Sequence, residues 1–218
     1  MDTSVLPLGR KPDDYFQHSR NDVVARIPRP LGRVLDVGCG AGNVGRELRE
    51  QGAGRLVGIE LDASAAAVAE AVFDRVLATD AVSAVGELGE ERFDTIVCYD
   101  ILEHLYDPAE VLAALRRLAA PSGRLHISIP NARHASLLRD LYFRGTFGYE
   151  PFGHRDSTHL RWFTRRDIVR LVEECGWKVE GVDTHQFRPS RRALNTLSRG
   201  ALSEFFAVQW YVLAYARE

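Results

Sequence analysis

One stretch constrains the fold of this chain more than any other: Val34-Leu35-Asp36-Val37-Gly38-Cys39-Gly40-Ala41-Gly42, an apolar strand that runs into three alternating glycines and then a helical stretch. Glycines in such a turn accept positive φ and let a ligand touch the backbone, and in an open α/β sheet ligands bind at the carboxyl ends of the strands. A tight turn kept for packing is the plain alternative, so what surrounds the loop decides. A dinucleotide fingerprint beginning at Gly38 needs glycine at position 43, where Asn43 stands, and no P-loop lysine follows. The loop therefore points to a ligand that presents no pyrophosphate.

From residue 33 the chain repeats an apolar strand, a turn and a helical stretch, the alternation of a parallel sheet covered on both faces. Strands are predicted over 33–37, 55–59, 75–78, 93–98, 124–129 and 177–182, and a further apolar β run over 204–216 is reached through a short helix in 188–200. Asp107, Pro108 and Glu110 start a helix whose apolar stripe is Val111, Leu112, Leu115 and Leu118. Thr164 and Asp167 start another, with Ile168, Leu171, Val172 and Cys175 buried and Gly176 placed to end it. Between 130 and 162 no clear period is visible, and the stretch is rich in Arg, His and aromatics, among them Tyr149, Phe152, His154 and His159. A long irregular segment inside a compact domain is usually functional.

Composition narrows the partners. With 218 residues, 45% of them hydrophobic, one large domain spanning 1–218 is expected, and the formal net charge of -2 offers no field for nucleic acid. Cys39, Cys98 and Cys175 are odd in number and form no CxxC pair, which argues against a disulfide framework and a structural zinc site and fits a reducing cytoplasm. Residues 1–14 lack an apolar signal region, and the apolar run 205–216, interrupted by Gln209, is too short for a bilayer. No membrane insertion is expected.

Two acids share the rim of the loop. Glu60 ends the second strand and can accept both hydroxyls of a ribose, while Asp62 suits the cap of the next helix. Asp80 follows the third strand, where it can accept an adenine amine or cap a helix.

Taken together, VLDVGCGAG, GIELD, ATDA, FDTIVCYDILEHLYDP and GRLHISIPN resemble the class I S-adenosylmethionine-dependent methyltransferases from about residue 33 to 131. The later DSTHLRWFTRRDIVRLVEECGW is similar to the branch containing bacterial methyltransferases of small molecules and cell-surface glycans. The resemblance implies a Rossmann-like three-layer α/β sandwich with a seven-stranded, mostly parallel sheet whose last strand is antiparallel, an N-terminal helical cap over 1–30 and an acceptor-side insertion over 131–162. It implies S-adenosyl-L-methionine as cofactor and S-adenosyl-L-homocysteine as product. Carried over by position, Gly38, Cys39 and Gly40 would cradle the methionine part, Asp36 would support its amino group, Glu60 would hold the ribose, and Leu61 would pack on the adenine. Asp80 and Ala81 would read the adenine edge, Tyr99 would close over the methionine side, and Tyr15 would lid the cofactor, a core-packing tyrosine being the alternative.

A sulfonium methyl is already activated, so such a protein mainly aligns its acceptor, and an oxygen acceptor gains from a base near neutral pKa. His104 and His159 are the candidates, and His126, alternating with apolar positions, reads as structural. Asp100, Glu103 and His104 correspond to a stretch that holds a divalent cation in quinone-precursor O-methyltransferases, with aspartate here in place of glutamate. The structural reading is preferred, so no metal is expected. Arg161, Arg165, Arg166 and Arg170, with Arg188, Arg191 and Arg192, either meet an acidic acceptor or form a solvated face. The expected activity is O-methylation of a small molecule or glycan precursor by a monomer or homodimer. A cofactor-binding protein without catalysis and a nicotinamide oxidoreductase are the competing readings.

Overall fold

A computed structural model of the chain describes residues 21–151, 153–184, 196–198 and 202–217. Seven strands form one sheet: β1 Arg33–Val37, β2 Arg55–Ile59, β3 Arg75–Leu77, β4 Phe93–Tyr99, β5 Ala119–Pro130, β6 Trp177–Thr184 and β7 Gln209–Ala216. Their order is β3-β2-β1-β4-β5-β7-β6. β1 to β5 pair in parallel, and β7 runs antiparallel between β5 and β6, as expected for the last strand. The sheet and its flanking helices are the expected Rossmann-like sandwich.

Alternation along the strands builds the two faces. Leu35, Val37, Val57, Ile59, Ile96 and Cys98 point to one side, where they pack on the apolar stripes of α4 Ala81–Leu88, α5 Pro108–Leu118 and α7 Arg165–Glu174. Val34, Leu56, Val97, Tyr99 and Tyr211 point to the other, against α1 Asn21–Val24, α2 Asn43–Glu50 and α3 Ala63–Ala69. Carboxylates start the helices: Asp62, Asp80 and Asp107 each accept from two backbone N–H groups of the first turn, and Thr164 with Asp167 closes a capping box on α7. The caps at Asp62 and Asp80 fix where the turns after β2 and β3 end, at the carboxyl rim of the sheet.

Two expectations change. Residues 131–162 contain a helix, α6 Ala135–Phe143, capped by the His134 side chain. Only Leu137 and Asp140 of it are buried while Leu141, Tyr142 and Phe143 are exposed, so the apolar residues lie on the wrong face for a periodic pattern to reveal it. The run 204–216 is not one strand: Ser203–Phe206 is a helical turn and the strand begins at Gln209, where pairing with Pro130 becomes available. Among the described residues no helix is long and apolar enough to cross a membrane. Tyr15, the expected helix in 188–200 for the most part, and Arg188, Arg191 and Arg192 lie outside the described residues.

Candidate cofactor and acceptor site

The turn after β1 is stitched to its neighbours by its own backbone. The N–H groups of Gly38 and Cys39 both donate to the carbonyl of Ile59, at 2.8 and 3.0 Å. Gly38, Gly40 and Gly42 all sit at positive φ (77°, 53° and 88°), and Gly42 is the residue that starts α2. A Cβ on Gly38 would stand 3.0 Å from the Ile101 side chain, so the loop lies flat against the chain leaving β4. Gly58 does the same from below, since a Cβ there would stand 2.7 Å from the Cys39 sulfur. The sequence reading missed this second glycine, although a glycine inside a buried strand signals a close approach.

Around this loop the expected cofactor residues converge on one rim. Glu60 reaches back across the crevice, where Oε2 accepts from the Gly40 N–H and Oε1 from the Asp62 N–H, each at 2.8 Å. Leu61, beside it, is 74% exposed, an apolar side chain presented to whatever fills the crevice. Asp80 caps α4, and both of its cap bonds fall on Oδ1. Bonding with Ser83 and its backbone holds the Asp80 carboxyl below the usual range. Ala81 opens the same helix.

Asp36 stands apart from the other acids. It is 1% exposed, and its Oδ2 has no hydrogen-bond partner. Burial first, and the neighbouring Glu60 charge second, push its carboxyl up to about 8.

Tyr99, expected over the methionine side, is buried on the sheet face that also carries Cys39. Its side chain belongs to the buried cluster on the lower sheet face, and its hydroxyl lies 2.8 Å from Nδ1 of His126. Its even spacing from Val97 along the strand forces that direction. Burial keeps His126 neutral down to about 4, in line with its structural reading. Asp100, the next residue, turns at φ 51°, a conformation that a non-glycine residue adopts only under constraint. Gln209 donates to its Oδ1 at 2.7 Å and Ser128 lies 3.4 Å away.

Asp100 therefore does not join Glu103 and His104. His159 does: its Nε2 lies 4.0 Å from Glu103 Oε1 and its ring meets that of His104 edge-on at 4.8 Å between centroids. Their potential ligand atoms lie within 4.8 Å of one another, a grouping able to hold a cation. The backbone shows what else the trio does. The Glu103 carbonyl accepts from the N–H groups of Leu160 and Arg161, and His104 Nδ1 lies 3.0 Å from the Thr158 hydroxyl. These bonds tie residues 156–161 to the turn Leu102–His104 after β4. The two candidate histidines are thus brought together, His159 only 6% exposed and His104 half-buried. Beyond them Phe147, Tyr149 and Trp162 form a mutual ring cluster, with centroids 5.5 to 6.4 Å apart. Of the expected basic cluster, Arg161 donates to the Tyr106 carbonyl and Arg170 pairs with Glu174 along α7.

A family model described as a methyltransferase domain matches residues 13–182. A ubiquinone biosynthesis O-methyltransferase of Xylella fastidiosa (strain 9a5c) is 33% identical over 205 residues, covering 87% of this chain and 79% of that relative. An enzyme of the same name from Hahella chejuensis (strain KCTC 2396) is 35% identical over 118 residues, 52% of this chain, and the match spans about half (49%) of its length. Among solved structures, a SAM dependent methyltransferase from Archaeoglobus fulgidus has a TM-score of 0.67 at 21% identity, covering 93% of this chain and 96% of its own. That likeness is one of fold.

Proposed function

The chain belongs to the methyltransferase domain family and is an S-adenosylmethionine-dependent methyltransferase, and on that premise we propose that it methylates a hydroxyl oxygen of a small molecule, an aromatic alcohol or a glycan precursor. The observation that carries this is the pairing of the site with its relatives: a glycine loop bridged by Glu60 and backed by Asp36 lies in a chain that is 33% identical to an O-methyltransferase over most of its length.

The residues fit the cofactor. Asp36 is a buried carboxyl with an oxygen left over, Gly38 lets the loop lie close on Ile101, and Leu61 is an exposed apolar side chain at the rim. We assign Gly38, Cys39 and Gly40 to the methionine part, Asp36 to its amino group, Glu60 to the ribose, and Leu61, Asp80 and Ala81 to the adenine. The cofactor, when bound, supplies an electrophilic methyl on a sulfonium. What remains for the chain is to hold the acceptor in line and keep water away. His104, the more exposed of the two histidines, is the group to meet an acceptor proton, with His159 and Glu103 orienting its ring. The ring cluster of Phe147, Tyr149 and Trp162 walls the acceptor side. Cysteines that are all free fit work in the cytoplasm, and a monomer or homodimer is the assembly we propose.

The test is to incubate the protein with labelled S-adenosylmethionine and a panel of catechols, other phenols, sugars and amines. Label transferred to hydroxylated members alone supports the reading; transfer only to amines, or none with any member despite cofactor binding, refutes it.

A further inference from the structure

The Asp36 carboxyl occupies a position that a charge tolerates poorly. It lies on β1 at the fourth of five residues, its Oδ2 has no partner, and the groups that face it are not cations. From the end of β2 comes the Glu60 carboxylate and from the loop the Cys39 thiol, while the Cys98 thiol of β4 sits on the other face of the sheet; burial first and Asp36 second disfavour the ionisation of both thiols. α2, packed on the same side, contributes another buried acid, Glu47. Further along that face of the sheet, Tyr99 and His126 bond to each other, and Arg26 is paired with Asp183. Two carboxylates therefore approach one crevice with no counter-charge among the described residues in contact with Asp36. A buried anion in that setting is neutralised by a proton or by a cationic ligand.

We propose that the ligand-free site stores a proton on Asp36 and that a ligand bringing a cationic amino group to the crevice displaces that proton to solvent, so that cofactor binding is coupled to proton release. This rests on the assignment of the cofactor to the glycine loop. The balance is simple: the carboxylic acid O–H of Asp36 breaks, the proton leaves to buffer, and the carboxylate pairs with the ligand ammonium. The Glu60 oxygens already accept two backbone N–H groups. The carboxyl position of Asp36, near 8 in the empty site, makes the coupling act around neutral pH.

Two measurements decide it. Calorimetry with S-adenosylhomocysteine in phosphate and in Tris, whose ionisation enthalpies differ, gives the protons released on binding. Close to one proton is expected at pH 7, with affinity rising about tenfold per pH unit from pH 6 and levelling above pH 8. In Asp36→Asn both the release and the pH slope should vanish. Tight wild-type binding with no proton released overturns the proposal. The second measurement needs no ligand. A folded carboxyl that takes its proton more readily than the unfolded one favours folding at acid pH, and this contribution is lost as pH rises through 4 to 8. Melting of the empty protein should therefore fall over that range by more in the wild type than in Asp36→Asn. Parallel pH profiles for the two proteins would sink the stored proton. If S-adenosylhomocysteine fails to bind while the profiles diverge, the cofactor assignment fails and the stored proton stands.

Discussion

The rim that holds the glycine loop and the segment proposed to face the acceptor are built in opposite ways. On the rim the functional groups are set by the strand ends and helix starts that carry them: Glu60 by the end of β2, Asp62 and Asp80 by the helices they cap, Gly38 and Cys39 by bonds to Ile59 at the tip of the neighbouring strand. On the acceptor side the groups are set by residues far away in sequence. His104 is held by Thr158, the Glu103 carbonyl by Leu160 and Arg161, and Asp100 by Gln209. A rim fixed by local geometry should lose its ligand when altered and keep its fold. An acceptor side fixed by distant ties should lose stability and turnover together.

The severest test of that contrast is Gly40→Val. At φ 53° a β-branched residue is a steric outlier, and the loop that would have to move is tied across the crevice to Ile59 and Glu60. Binding of S-adenosylhomocysteine should fall below detection in calorimetry while circular dichroism stays that of the folded protein. Retained affinity would move the cofactor away from this loop.

Glu60→Ala comes next. It removes the acceptor of the Gly40 N–H together with the proposed ribose partner, a loss of about 1–3 kcal/mol in binding, or roughly five- to 150-fold in Kd. Because Glu60 is only half-buried, the melting temperature should move little. An unchanged Kd in the folded variant would take Glu60 out of the site.

The same contrast explains what the sequence disclosed. The strands from residue 33 to 129 were legible from the alternation of short apolar runs with capped helices, the antiparallel last strand was implied by the family resemblance, and the order of the strands had no local signal. The caps at Asp62 and Thr164 were legible because a cap and its partners lie within three residues. His159 could be singled out as a histidine near the acceptor, but its burial against Glu103 could not, because 56 positions separate the two and no periodicity links them. α6 stayed hidden because its apolar residues face outward. The direction of Tyr99 was available from strand alternation, which outweighs its nearness to the crevice in sequence.

On the acceptor side, His159→Ala should break a tie as well as a site. The side chain is buried against Glu103 and the His104 ring, and truncation leaves a cavity beside a buried carboxylate, at a cost of about 1–2 kcal/mol, which lowers melting by several degrees in a chain of this size. Turnover should fall in parallel, whereas the Kd for S-adenosylhomocysteine should hold within twofold or so of the wild type. A variant that keeps its melting temperature and loses only turnover would show that His159 touches the reacting atoms, and the contrast between the two regions would need revising.

The smallest effect is expected at Tyr149, and it separates the wall of the site from its supports. The side chain is 54% exposed, with the Phe147 ring edge-on and the Trp162 ring tilted beside it, so Tyr149→Ala should shift stability by no more than about 0.5 kcal/mol. If the ring cluster walls the acceptor, the loss appears in the acceptor's KM, raised by about 1 kcal/mol of lost ring contact, or roughly fivefold, with kcat and cofactor affinity nearly unchanged. Tyr149→Phe keeps the ring and should restore the KM, which assigns the effect to the aromatic face and not to the hydroxyl. A KM unmoved in Tyr149→Ala would confine the ring cluster to packing against Trp162 and leave the acceptor to the groups at the tips of β4 and β5, where Asp100, Ser128 and Gln209 already meet.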